Sequence, residues 1–100
     1  MAIQRKSKLI PFDMAEHLDS PEAIAEYMTQ VLADGDTAEL LRALGHVAKA
    51  RGMSQIAAET GLGRESLYKA LRADARPRLE TISRVLHAVG LQLAAKPIAP

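Results

Sequence analysis

One hundred residues amount to one domain, and 48% hydrophobic side chains suffice for a core without covalent staples. There is no cysteine, which excludes disulfide frameworks and thiolate zinc sites and fits a reducing compartment. The formal net charge of +1 conceals an asymmetry: residues 1–40 carry three basic and eight acidic side chains (net −5), residues 41–100 ten and four (net +6).

No run reaches membrane-spanning length, and the opening Met-Ala-Ile-Gln-Arg-Lys-Ser-Lys is not followed by the apolar stretch of a secretion signal. The cytoplasm is therefore the expected compartment. Residues 1–19 read as an extended arm whose Leu9, Ile10 and Phe12 need an apolar partner. Ser20 has the chemistry of an N-cap and Pro21 that of a first helical residue, and Ile24, Tyr27, Met28 and Val31 recur at the spacing of one helix face. Gly35 ends that helix.

Asp36 followed by Glu39 resembles a capping box, after which Leu40, Leu44, Val47 and Ala48 line one face until Gly52. Ser54 is the expected cap of a third helix and Gly63 of a fourth, which turns Leu67, Ala70 and Leu71 inward. Pro77 breaks the chain, and Leu79, Ile82, Val85, Leu86 and Val89 form a last amphipathic helix closed by Gly90. Leu91 and Leu93 then alternate briefly, as a short edge strand facing a second copy or as a frayed helix end. The expected fold is all-α: a five-helix bundle over residues 20–95, with the arm before it and a tail at 96–100.

Residues 53–72 have the form of a helix-turn-helix. Ala57 is small where two helices approach, Gly61 can take the positive φ of the turn, and Leu62 and Leu67 supply apolar contacts beneath. The basic half of the chain contains this motif, as phosphate binding requires. On the fourth helix Arg64 suits bidentate donation to guanine, Glu65 accepts from cytosine or orients Arg64, Tyr68 reaches a thymine methyl or a phosphate, and Lys69 pairs with phosphate. Ser54 and Gln55 stand at a helix N-terminus that favours a phosphate, and Arg72, Arg76 and Arg78 extend the basic ridge. Each cation has an alternative reading as a solvated surface charge. One recognition helix reads few base pairs, so a homodimer on a palindromic operator is expected, with the last helix and Leu91 to Leu93 as its interface.

The layout resembles the HigA-type addiction-module antidote proteins, relatives of phage-repressor and Cro-like regulators. The stretches that carry the resemblance are Arg42 to Gln55, Thr60 to Leu71, Leu-Glu-Thr-Ile at 79–82, and the upstream Phe-Asp-Met-Ala-Glu-His-Leu. Gly63 departs from the pattern, since relatives commonly place a serine cap there, and Gln55 sits two positions later than the glutamine of phage-repressor motifs.

The resemblance implies a lambda-repressor-like fold, repression of the protein's own operon and neutralisation of a RelE/ParE-superfamily, HigB-like toxin. A toxin directed at the ribosome or RNA must be cationic, so the acidic half is the expected toxin contact: Asp13, Glu16 and Asp19 with Ile10 and Phe12 as apolar anchors. The competing reading is a stand-alone prophage-type repressor. An enzyme is not expected, because His17, His46 and His87 accompany no nucleophile or ligand pattern, and no cofactor or metal is called for.

Overall fold

A computed structural model describes residues 18–99, within which the chain forms five helices and no strand. Helix α1 spans Pro21–Asp34. Ser20, in extended backbone, accepts the Ala23 N–H on Oγ at 3.1 Å, and Pro21 occupies the first helical position where no amide is missed. Ile24 and Met28 are buried while Tyr27 and Val31 pack at the margin of the core. Burial, with Glu39 adding to it, holds the Tyr27 phenol above its ordinary pKa. The Gly35 N–H closes the helix on the Leu32 carbonyl at 3.2 Å.

Helix α2 spans Thr37–Arg51 and starts where the Asp36 carboxylate accepts the Glu39 N–H at 3.2 Å. The return half of a capping box is replaced: the Glu39 carboxylate takes the Arg42 guanidinium at 2.9 Å instead. Lys49 and Arg51 in the last turn oppose the negative end of the helix dipole. Leu41 and Ala43 are buried along with the anticipated Leu44, Val47 and Ala48, and Leu40 lies at the edge. The stripe is wider than one face because α2 packs on α1 and on α3 at once.

Helix α3, Met53–Thr60, begins earlier than its sequence suggests. Gly52, not Ser54, is its N-cap, and no side chain caps it; the first helical bond runs from the Ile56 N–H to the Gly52 carbonyl at 3.0 Å. Met53 is only 6% exposed, so its burial sets the first turn one residue ahead of Ser54, which is left exposed on the helix. This helix is the hub: it contacts α2, α4 (Arg64–Ala70) and α5 (Leu79–Ala88).

The expected inward face of α5 holds for Ile82, Val85, Leu86 and Val89 but not for Leu79, which is 73% exposed because its turn projects past the end of the core. At its other end the Gly90 N–H bonds the His87 carbonyl at 3.0 Å and the Leu91 N–H bonds the Leu86 carbonyl at 2.8 Å, with Gly90 at φ +93°. This is a Schellman stop, and it uses Leu91 as the accompanying apolar contact on the core. Of the two readings of Leu91 and Leu93, an edge strand facing a second copy or a frayed helix end, the single chain forms no strand among the described residues: Leu91 completes the helix end and Leu93 is exposed.

Leu18, just ahead of α1, is 2% exposed and belongs to the core. Each fully buried aliphatic side chain, such as Ile24, Leu44, Leu67 or Val85, contributes about 1.5–3 kcal/mol relative to exposure. No helix among the described residues is long and apolar enough to cross a membrane.

Candidate nucleic-acid interface

Helices α3 and α4 pack against each other across the turn Gly61-Leu62-Gly63. Ala57 is 7% exposed at their approach, and the Gly61 N–H bonds its carbonyl at 3.1 Å with φ +78°. Nothing lies within 4 Å of where a Gly61 side chain would begin, so backbone conformation alone demands glycine there.

Thr60 is a scaffold residue that the sequence reading missed. Its buried hydroxyl donates to the Ile56 carbonyl at 2.8 Å, with the Ala57 carbonyl at 3.2 Å, and accepts the Leu62 N–H at 3.3 Å. A threonine directly before the turn glycine was the available signal. Gly63 caps α4 as expected, its carbonyl accepting the Leu67 N–H at 2.9 Å. Leu67 is fully buried and Leu71 nearly so, whereas Ala70 is only half-buried. These anchors fix which side of α4 faces outward.

That outward side carries Arg64, Glu65, Tyr68 and Lys69, all exposed. The Arg64 guanidinium carbon lies 5.8 Å from the centroid of the Tyr68 ring, within cation–π range. Arg72, just past the end of α4, pairs with Asp74 at 3.3 Å. On α3 Ser54 and Gln55 are exposed, and the Gln55 amide donates to the Glu59 carboxylate at 3.1 Å. Arg76 and Arg78 are exposed in the segment leading to α5. Exposed pairs of this kind are worth about 0–1 kcal/mol, so a phosphate exchanges for them at little cost.

A second basic stripe faces α4 from α2. Arg42, His46 and Lys49 follow one another at i, i+4 and i+7, and together with Tyr68 and Arg72 they line one depression. The helical spacing of these three residues was legible; their neighbour was not. The His46 Nδ1 is buried without a hydrogen-bond partner among the described residues. Burial pushes the imidazole below the ordinary histidine value, with Lys49 and Arg42 adding to the fall and Glu39 opposing it. His87 lines a different depression with Glu59, Glu80 and Arg84, so the two histidines share no site. No group of three potential metal ligands occurs among the described residues.

Of the residues expected to meet a toxin, Asp19 is exposed beside the Ser20 cap. Ile10, Phe12, Asp13 and Glu16 lie outside the described residues, as does Leu9. Glu22, Glu26, Asp34, Asp36 and Glu39 continue the acidic surface along α1 and into α2, every one of them exposed, with no basic residue between Leu18 and Leu41.

Among the described residues, helices that present basic side chains from α2 and α4 and acidic ones along α1 suit a binding protein. Residues 8–97 match the family model of probable addiction module antidote proteins. A Haemophilus influenzae protein described as uncharacterized is 45% identical over 85 residues, spanning 85% of this chain and 88% of that protein. No solved structure matches the chain. The chain belongs to this family of probable addiction module antidote proteins, which supports the role of antitoxin and implies a toxin as partner.

Proposed function

We propose that this antitoxin works through two surfaces, repressing its own operon through a helix-turn-helix formed by α3 and α4 and neutralising a RelE/ParE-superfamily, HigB-like toxin through its acidic N-terminal part. The observation that carries the DNA half is the polarity of α4. A fully buried Leu67 holds Arg64, Glu65, Tyr68 and Lys69 outward on a short helix, the geometry a recognition helix needs to present its first turn to base edges. The HigA-like sequence pattern supports the same reading.

The toxin half rests on family membership and on charge. The acidic residues of α1 and of the start of α2 complement a cationic, RNA-directed partner, and such complementarity accelerates association and fixes register. A stand-alone repressor shares the DNA half alone, and antidote membership favours the two-surface reading over it.

Two measurements test the proposal together: retention of a duplex taken from immediately upstream of the gene, and rescue of growth when the chain is co-expressed with the small basic protein encoded beside it. Binding with rescue supports both halves. Binding without rescue leaves a repressor only, and rescue without binding removes the operator.

A further inference from the structure

We propose that the depression between α2 and the C-terminal end of α4 is a phosphate-binding site that takes a DNA backbone phosphodiester flanking the groove in which α4 sits. The inference rests on the DNA-binding reading above and adds to it a second element, α2, that no groove-reading role requires.

The depression encloses about 260 Å³. Arg42, His46 and Lys49 of α2 form one wall, Tyr68 and Arg72 the other, and Met53 lies among the lining residues. Three cationic side chains and an imidazole thus converge on one cavity, and no carboxylate lines it. Such an arrangement raises the local potential in the sense that draws an anion.

Two further observations point to a phosphate. The carboxylates now held by two of the cations are exposed partners outside the lining: Glu39 on Arg42 at 2.9 Å and Asp74 on Arg72 at 3.3 Å. Both are readily exchanged for a phosphate oxygen, to which arginine offers the same fork of donors. The site is also continuous with the outward face of α4, because Tyr68 lies beside Arg64 on that face and lines the depression as well. A backbone phosphate beside a groove filled by Arg64 and Tyr68 would meet this wall.

The test is the salt dependence of binding to a random-sequence duplex, which needs no knowledge of the operator. Lys49→Gln is expected to lower the slope of log K against log salt by about one unit and to weaken all duplexes alike. Arg84→Gln, an equal charge loss on α5, is the control and should leave the slope as it is. Thermal melts establish that each variant is folded. An unchanged slope in folded Lys49→Gln, or an equal fall in the control, overturns the site while leaving groove reading by α4 intact. Arg64→Ala reports on that reading separately, through loss of preference for the upstream duplex over the random one.

Discussion

Gly90 faces the ring of Pro21: a side chain begun at Gly90 would have its first carbon 3.4 Å from the proline Cγ and 3.5 Å from its Cβ. The juxtaposition sets the C-terminal stop of α5 beside the N-terminal start of α1. Its distances are those of ordinary van der Waals contact, so the demand for glycine comes from φ +93° and not from crowding.

Gly90→Ala and Gly61→Ala are accordingly expected to cost similar amounts, about 1–2 kcal/mol each, from left-handed backbone strain. Gly61→Asn should stay nearer the wild type, because asparagine tolerates that region, and Gly61→Val should be the worst of the series because it is β-branched. Thermal melts of the four proteins check the order. An asparagine variant as unstable as the valine one would place the cost in packing instead.

Thr60→Val keeps the shape of a buried side chain and deletes its hydroxyl, which leaves the Leu62 N–H without its acceptor. A loss of about 1–3 kcal/mol is expected, the usual cost of an unsatisfied buried group. Leu67→Ala, which empties the anchor beneath α4, should cost about 2–5 kcal/mol. Urea unfolding measures both, and an unchanged midpoint for Leu67→Ala would detach α4 from the core.

Arg64→Ala should reduce binding to the upstream duplex by about 1–3 kcal/mol and relax the choice at one base pair, whereas Lys69→Ala should weaken every sequence and lower the salt slope by about one unit. Tyr68→Leu removes the ring beneath the Arg64 guanidinium and should blunt the same preference that Arg64 confers. Gel shifts with upstream and scrambled duplexes at two salt concentrations separate these effects. Unchanged binding by all three variants would take α4 out of the groove.

His46 gives the fold a pH dependence with a definite sign. Its folded-state pKa is depressed, so at pH values just below the ordinary histidine pKa the unfolded chain binds more protons than the folded one. The stabilisation is fully present above that ordinary value and is lost as pH falls from it toward the folded pKa. Melting temperatures taken from neutral pH down to mildly acidic pH should therefore decline, and His46→Gln should flatten that part of the curve. A His46→Gln profile parallel to the wild type would assign the decline to other groups.

Deletion of residues 1–17 should leave operator binding in place and abolish rescue from the toxin. The cut falls there because Leu18 is buried in the core and its loss would confuse a missing contact with a damaged fold. Growth restored in full by the truncated protein would move neutralisation to the exposed carboxylates of α1.

The local punctuation of this chain was legible in its residues. Ser20, Gly35, Asp36, Gly61, Gly63 and Gly90 all act where expected, because capping bonds and left-handed turns involve neighbours a few positions apart. So did the inward Leu67 and the outward polar face of α4, which follow from the helical repeat. What the repeat could not settle was which elements meet. Leu79 shares the periodicity of α5 yet sits beyond the core, Leu41 is buried because α2 is covered on two sides, and Met53 takes the start of α3 from Ser54 by entering the interior. The basic depression is the clearest case: Arg42, His46 and Lys49 meet Tyr68 and Arg72 only because α3 folds α4 back toward α2. Periodicity assigns a side chain to a face of its own helix, and only the packing of distant segments decides what that face encounters.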